Sequence, residues 1–98
     1  MTRRAAKVDA NQAEIVAALE AAGASVLSLA ALGNGAPDLL AGWAGAEMVL
    51  LEVKHPARAK GRREPNALQV KWHGAWKGRP VAVVLTPEDA LKAIGATA

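Results

Sequence analysis

The 98-residue sequence contains no cysteine. This absence excludes a disulfide framework and a zinc site built from thiolates, so covalent cross-links do not offset the small size of the chain. We therefore expect the protein to work in a reducing, cytoplasmic setting.

The sequence also lacks any apolar run long enough to span a bilayer, although 52% of its residues are hydrophobic. We expect a soluble protein with no membrane partner. Its basic N-terminus is not followed by the apolar segment of a secretory signal. Residues 1–8, which include Arg3, Arg4 and Lys7, are interpreted as a flexible cationic arm.

Internal repeats and low-complexity linkers are absent as well, and 98 residues accommodate one core without a separate binding domain. We predict a single domain over residues 1–98. The apolar fraction is high for so small a domain, which favours a partner that covers part of its surface. A second copy of the chain is the commonest such partner, so we predict a homodimer.

Positive charge exceeds negative charge and gives a net charge of +3. The stretch from His55 to Arg63 contains no acidic residue, and it also holds Pro56 and Gly61. Its basic residues are Arg58, Lys60, Arg62 and Arg63. We predict a mobile cationic loop that binds a polyanion. A solvated connector is the alternative interpretation.

The first half of the chain is expected to form a helix and a strand. The helix begins at Asp9, with Gln12 as its capping-box partner, and ends at Gly23. Its apolar positions at helical spacing are Ile15, Val16, Leu19 and Ala22. Residues 25–29, Ser-Val-Leu-Ser-Leu, predict a strand with one buried face.

The middle of the chain predicts a β-hairpin. Residues 38–43 and 47–53 are apolar runs joined by Ala44-Gly45-Ala46, which is short enough for a hairpin turn. Both strands are predicted to be substantially buried. Residues 33–35, Gly-Asn-Gly, predict a turn before the first of these strands.

The last part of the chain predicts helix, strand and helix. A helix follows Pro65, and its residues at i, i+4 and i+8 are predicted to face the core: Leu68, Trp72 and Trp76. Residues 81–85 form a continuous apolar run typical of an inner strand. Thr86 and Pro87 begin the last helix. The resulting order, αβββαβα, predicts an α/β domain with a mixed sheet flanked by helices.

A charged pair stands out within the hairpin. Glu52 and Lys54 are separated by Val53, so both polar side chains point to one face of the strand. Burying a carboxylate beside the apolar run 48–51 is costly unless a cation compensates it. Either a metal site at the strand end or a plain salt bridge satisfies this requirement.

Asp38 provides the context that favours the metal site. It enters a strand after the turn Gly35-Ala36-Pro37, and the following hairpin brings it near Glu52. Two hard oxygen ligands would then converge, as divalent ions such as Mg²⁺ require. Taken alone, Asp38 is also compatible with an ordinary turn residue that caps its own backbone.

These residues resemble the signature of the PD-(D/E)XK nuclease superfamily, with Pro37-Asp38 followed by Glu52-Val53-Lys54 on a strand, hairpin and strand. More narrowly, the chain is similar to stand-alone, phage-type VRR-NUC domains, which resemble Holliday junction resolvases. That branch adds a glutamate on the first helix and a glutamine after the E-x-K motif, matched by Glu14 and Gln69. The resemblance covers nearly the whole chain and implies a restriction-endonuclease-like sheet.

The resemblance implies a divalent ion, Mg²⁺ or Mn²⁺, held by Asp38, Glu52 and the main-chain carbonyl of Val53. Glu14 would be a further ligand, directly or through water. The implied activity is structure-specific cleavage of branched DNA such as Holliday junctions, without a nucleotide cofactor, in a bacterial or phage-infected cell. The cationic arm and the basic loop would then contact DNA.

Phosphodiester chemistry assigns roles to the catalytic candidates. A bound metal polarises the phosphate and stabilises the negative charge that develops on it. Lys54 would orient the attacking water and offset charge in the transition state. Gln69 lies at the edge of the predicted apolar stripe, so its amide would reach the site from the second helix.

Several alternatives stay open. One is a noncatalytic DNA-binding module with the same fold, and another is a nuclease directed at flaps or nicks. A third is a structural homodimer in which Asp38, Glu52 and Lys54 form a buried ion network. His55 and His73 lack metal-ligand spacing with each other, and their roles, like that of Trp43, are not predicted.

Overall fold

The computed structural model describes residues 11–55 and 65–96. Its elements follow the order αβββαβα, as the sequence predicts. The helices are α1 (Gln12–Ala21), α2 (Ala67–Ala75) and α3 (Pro87–Ile94). The strands are β1 (Ser25–Ser28), β2 (Leu39–Gly42), β3 (Val49–Val53) and β4 (Ala82–Val84). The predicted α/β class is therefore confirmed, with helices and a mixed sheet in one compact unit.

Helix α1 begins later than the sequence predicts. Its first residue is Gln12, and Asn11 occupies the N-cap position, whereas Asp9 lies outside the described residues. The helix ends as predicted, because Gly23 adopts a left-handed φ of 97° that a residue with a side chain rarely tolerates.

The sheet has the strand order β1-β2-β3-β4. Strands β1, β2 and β3 pair antiparallel, and β4 pairs parallel to β3. The predicted hairpin joins β2 to β3, and its turn has positive φ at both central residues, 53° at Ala44 and 75° at Gly45. A type I′ turn requires this combination, and the Ala46 N–H closes it by donating to the Trp43 carbonyl at 2.9 Å.

The two faces of the sheet have different environments. Alternate residues of β3, namely Val49, Leu51 and Val53, point into the core beneath α1 and α3. The core also contains Ile15, Leu19, Leu39, Ala41, Val84, Ala90 and Ile94. Glu52 therefore points to the opposite face, where it contacts Gln69 of α2.

Helix α3 begins with the cap that the sequence predicts. The Thr86 hydroxyl accepts from the Asp89 N–H at 3.1 Å, and the Asp89 carboxylate accepts from the Thr86 N–H at 3.3 Å. Together with Pro87 in its first turn, this capping box fixes the start of the helix. Ala90 and Ile94 then pack into the core against α1.

Two sequence predictions about burial are wrong. Helix α2 has no fully buried residue, and Leu68 and Trp76 are exposed rather than in the core. Trp72 and Trp76 instead stack on each other with ring centroids 5.2 Å apart. Strand β4 is an edge strand of the described sheet, not an inner one, and Val83 on it is exposed. Of the apolar residues in β4, Val84 is buried in the core and Val83 faces solvent.

Candidate active site

Asp38 is tied by its backbone and side chain to the strand that carries Glu52. Its N–H donates to the Leu51 carbonyl at 3.0 Å, and its Oδ2 accepts from the Val53 N–H at 2.7 Å. The turn before it uses left-handed backbone at Gly33, Asn34 and Gly35. The hairpin therefore brings Asp38 beside the E-x-K motif, as the sequence predicts.

Glu52 is an ionisable side chain almost completely removed from solvent, with 1% of its surface exposed. Burial and, to a lesser extent, the negative charge of Asp38 raise its pKa from the ordinary 4.5 to about 7, while the positive charge of Lys54 opposes the shift. Its Oε2 accepts from Gln69, but its Oε1 is buried without a hydrogen-bond partner among the described residues. One carboxylate oxygen is therefore unsatisfied.

Lys54 lies at the end of β3 with its ammonium group beside Glu52. Its Nζ is 3.5 Å from Glu52 Oε2 and donates to Gln69 Oε1 at 3.0 Å. Its backbone N–H donates to the Val84 carbonyl at 3.0 Å. The Lys54 ammonium group is therefore held next to the Glu52 carboxylate by the neutral amide of Gln69.

Gln69 connects this charged pair to the start of α2. Its Nε2 donates to Glu52 Oε2 at 2.6 Å, so the same amide contacts both members of the pair. Its Oε1 also accepts from the Asn66 N–H at 2.8 Å, while the Asn66 side chain accepts from the Gln69 N–H. Gln69 is thus both the N3 residue of a capping box and a bridge in the site.

His73 lies one turn further along α2, over the free oxygen of Glu52. Its Nε2 is 3.9 Å from Glu52 Oε1, and neither atom has a hydrogen-bond partner in the residues that the structure covers. Burial and the charge of Lys54 lower the pKa of His73. The histidine is therefore neutral near pH 7, and the contact is not an ion pair there. Sequence reasoning left its role open, although the i, i+4 spacing from Gln69 puts both on one helix face.

The donor set fits a divalent cation in part. Two carboxylates, one with an unsatisfied buried oxygen, provide the hard ligands that Mg²⁺ prefers. The Val53 N–H donates to Asp38. Because the N–H and the C=O of a strand residue point to the same side of the strand, the Val53 carbonyl also points toward the side of Asp38. Within residues 11–55 and 65–96, no three His, Asp or Glu side chains form a metal-binding group. Water would have to complete the coordination.

Glu14 stands apart from this cluster. It is exposed in the first turn of α1, and in the described part of the chain it forms no ion pair or hydrogen bond with Asp38, Glu52 or Lys54. Its predicted role as a metal ligand, directly or through water, stays a prediction.

Asn11 is a site residue that the sequence did not reveal. It is buried, and its side-chain amide donates to the Lys54 carbonyl at 3.1 Å and to the Leu85 carbonyl at 2.7 Å. An asparagine before a helix predicts a local cap, so no sequence signal identifies these long-range contacts.

The predicted DNA contacts lie outside the described residues: Arg3, Arg4, Lys7, Arg58, Lys60, Arg62 and Arg63. Their roles stay predictions. The described residues on either side of the basic segment 58–63 are His55, just past β3, and Pro65, just before α2.

The Trp43 indole N–H donates to the Ala22 carbonyl at 2.8 Å, so this tryptophan joins the end of β2 to the end of α1.

Two depressions border the site and the sheet. A cleft of about 180 Å³ opens beside Asp38 and the first turn of α2, between Pro37, Asn66 and Leu68. A more apolar groove of about 280 Å³ lies over the sheet and is lined by Leu40, Glu47, Met48, Leu50, Trp76, Gly78 and Arg79. The cleft is lined by Asp38, one of the candidate metal ligands, whereas the groove is lined by none of them.

Comparison with known proteins finds no matching family model, no matching curated protein and no matching solved structure. None of the helices in the described ranges is long and apolar enough to cross a membrane.

Proposed function

We propose that the protein is a metal-dependent DNA endonuclease with the PD-(D/E)XK arrangement. One observation carries the proposal: Asp38, Glu52 and Lys54 converge at one end of the sheet, and a buried oxygen of Glu52 has no partner among the described residues. The specific restriction-endonuclease-like fold and the likeness to VRR-NUC domains are part of the same proposal.

Charge balance favours a cation site over a closed ion network. Among the described residues, the Glu52 carboxylate lies beside the Asp38 carboxylate and one ammonium group, that of Lys54, and burial raises the pKa of Glu52 instead of leaving it fully ionised at neutral pH. A network that existed only for stability would satisfy both oxygens of a buried carboxylate. A divalent ion bound by Asp38, Glu52 and the Val53 carbonyl would supply the missing positive charge.

The chain's own groups then have distinct tasks. A bound Mg²⁺ or Mn²⁺ would polarise the phosphodiester and stabilise the charge that develops during hydrolysis. Lys54 offers a proton donor and a positive charge beside the ligands, so it orients the attacking water and offsets charge on the phosphate. Gln69 holds Lys54 and Glu52 in register, because its amide contacts both side chains.

DNA is the polyanion that best fits the charge distribution. The basic segment follows Lys54 in the sequence and precedes α2, so both of its ends are next to site residues in the sequence. Its basic residues are Arg58, Lys60, Arg62 and Arg63. Four cations at that point would guide a phosphate backbone toward Lys54. Branched DNA in a bacterial or phage-infected cell is the proposed substrate and setting.

We also propose a two-fold dimer as the active species, since a branched junction presents two equivalent strands. The groove over the sheet has an apolar floor, and Glu47 and Arg79 contribute opposite charges to its lining. In a two-fold dimer, Glu47 of each copy would face Arg79 of the other copy. Met48 and Trp76 are exposed at this groove, although large apolar side chains usually avoid solvent.

A cleavage assay tests the function directly. Fluorescent four-way junction, flap, nicked and linear duplex DNAs are incubated with Mg²⁺, with Mn²⁺ or with EDTA. We expect metal-dependent cleavage, lost in Asp38→Asn and Glu52→Gln, which keep side-chain size but remove charge. Glu20→Gln, at an exposed acid on α1, is the control, and Glu14→Gln tests the role of that glutamate.

DNA binding and metal titration separate this proposal from its alternatives. We expect both acid variants to bind DNA as the wild type does but to lose heat of Mg²⁺ binding in calorimetry. Normal cleavage by either variant would refute the assignment. DNA binding without cleavage by the wild type in any metal would identify a noncatalytic module, and absence of metal binding would identify a structural ion network.

A further inference from the structure

Asn11 occupies a position where asparagine normally caps a helix, yet it does not do so. At the N-cap, the side-chain oxygen usually accepts from a backbone N–H in the first turn of the helix. Here Asn11 makes no side-chain cap bond, and its Oδ1 is buried without a partner among the described residues. The residue has given up the local bond, so the contacts that it does make need an explanation.

Its amide nitrogen makes those contacts with distant parts of the chain. Nδ2 donates to the carbonyl of Lys54 and to the carbonyl of Leu85, the residues that directly follow β3 and β4. Both acceptors are oxygens, which fixes the orientation of the amide, because the reverse orientation would face Oδ1 to two carbonyls. One side chain therefore joins the ends of two parallel strands to the start of α1.

The result is that the backbone of Lys54 is held on both sides. Its N–H donates to the Val84 carbonyl at 3.0 Å, and its carbonyl accepts from Asn11 at 3.1 Å. Lys54 lies one residue beyond the last residue of β3, and its N–H makes a bond of the ladder that joins β3 to β4. Without Asn11, the carbonyl of Lys54 would lose its side-chain tether at the point where the chain enters the basic segment.

We propose that Asn11 is a positioning residue for Lys54, holding the backbone that aims the ammonium group at the reacting phosphate. The inference rests on the proposed nuclease function of Lys54. The Lys54 ammonium group is held by Gln69 and Glu52, so a shift of the Lys54 backbone would change the geometry of both contacts. A misplacement of about 1 Å in a catalytic group can cost on the order of a hundredfold in rate.

A double-mutant cycle tests this action through Lys54. Asn11→Ala is expected to lower kcat on the order of 10- to 100-fold with little change in KM, because DNA contacts are untouched. In a Lys54→Ala background, the same substitution is expected to cause no further loss. Asn11→Ser, whose hydroxyl still donates one hydrogen bond, is the milder variant and is expected to retain intermediate activity.

Trp43→Phe provides the matched structural control. It also removes one bond from a side chain to a distant backbone carbonyl that joins a strand end to α1, but it does so near Ala22. Rates are normalised to the folded fraction measured by circular dichroism. We expect Trp43→Phe to lower thermal stability without lowering kcat. Asn11→Ser is expected to lower kcat although its thermal stability is equal to or higher than that of Trp43→Phe.

Amide hydrogen exchange tests the geometry without any activity. In Asn11→Ser, the Lys54 amide is expected to exchange faster relative to the core amide of Leu51, and Trp43→Phe is expected to leave that ratio unchanged. If the wild type proves inactive on DNA, the nuclease proposal fails, and this ratio alone decides whether Asn11 holds Lys54. Independent, additive losses in the cycle, or an unchanged exchange ratio, would overturn the inference.

Discussion

The backbone of Gly35 lies directly against the first turn of α2, at the carbonyl of Leu68. A Cβ built on Gly35 would be 2.5 Å from that oxygen and 3.2 Å from the Gln69 nitrogen. Both neighbours are backbone atoms, which cannot move aside as a flexible side chain does. The glycine of the Gly35-Ala36-Pro37-Asp38 motif is therefore what lets α2 come close enough for Gln69 to reach Glu52.

Gly35→Ala is expected to displace the start of α2 and to separate Gln69 from Glu52. Gly33→Ala is the matched control, since Gly33 also has a positive φ of 62° but has open space around its Cβ position. Both variants pay about 1–2 kcal/mol for the left-handed backbone. We expect only Gly35→Ala to reduce cleavage strongly, by about 10-fold or more when rates are compared at equal folded fraction. Equal activity of the two variants would contradict the close approach.

The pKa of Glu52 predicts that the metal-free protein loses stability as pH rises. Its pKa of about 7 lies above the ordinary value of 4.5, so between these values the folded state binds more protons than the unfolded state. The free energy of unfolding then falls from about pH 4.5 to about pH 7 and levels off above it. The total loss is roughly 3 kcal/mol.

Urea unfolding in EDTA at pH 5 and pH 8 measures this effect. Glu52→Gln is neutral at both pH values and is expected to lack this part of the pH dependence, so it is more stable than the wild type at pH 8. Glu20→Gln, at an exposed acid on α1, is expected to unfold as the wild type does. An identical pH dependence in wild type and Glu52→Gln would mean that Glu52 is not desolvated in the folded state.

The hairpin turn predicts a stabilising substitution far from the site. Ala44 adopts a φ of 53°, which a side chain disfavours and glycine tolerates. Ala44→Gly is expected to raise the free energy of unfolding by about 0.5–1 kcal/mol, as measured by urea denaturation. Ala46→Gly, in the same turn without a positive φ, is expected to lower it by a similar amount. Stabilisation by both substitutions would point to a general effect of glycine in the loop.

Neutralising the basic segment is expected to weaken DNA binding and to reduce its salt dependence. The variant changes Arg58, Lys60, Arg62 and Arg63 to glutamine, while Asp38, Glu52 and Lys54 stay unchanged. Each lost phosphate contact lowers the slope of log K against log salt by about 0.9, so the full change approaches 3.6. Fluorescence anisotropy from 50 to 200 mM salt, about the range in which such slopes are resolved, measures it. An unchanged slope would leave the segment a solvated connector.

The groove over the sheet predicts the oligomeric state. Met48 lines this groove and is 60% exposed, and Leu32, equally exposed at 60%, does not line it. Sedimentation is expected to show a dimer for the wild type and for Leu32→Lys, but a monomer for Met48→Lys, whose charge would be buried at the interface. A monomeric wild type at concentrations that cleave DNA would rule out the dimer and favour flaps or nicks as substrates.

The sequence predicts the elements well where local signals act alone. Thr86 and Pro87 mark the start of α3 through cap chemistry, and Gly23 marks the end of α1 through its left-handed backbone. The hairpin follows from two apolar runs and a short turn. The convergence of Asp38 with Glu52 then follows from the hairpin, because pairing fixes which strand ends meet.

The sequence does not predict burial correctly for α2, because the apolar face of this helix is exposed to solvent. Leu68 and Trp76 have the spacing of a core stripe, and spacing alone does not reveal that the other face of α2, with Gln69 and His73, turns toward the sheet. The polar face is held there by Glu52, which is a tertiary contact. Asn11 was missed for a related reason, since its partners are 43 and 74 residues away in the sequence.

Gln69 makes the first turn of α2 and the charge pair interdependent. Glutamate and glutamine serve equally well at the third position of a capping box, because an oxygen acceptor is all that the cap needs. Only glutamine also carries the N–H that donates to Glu52 Oε2 at 2.6 Å. A glutamate here would preserve the helix while adding a third negative charge against a buried carboxylate. The cap of α2 and the hydrogen bond to Glu52 each permit several residues, but glutamine meets both requirements. Nucleation of α2 is therefore cooperative with assembly of the charged cluster.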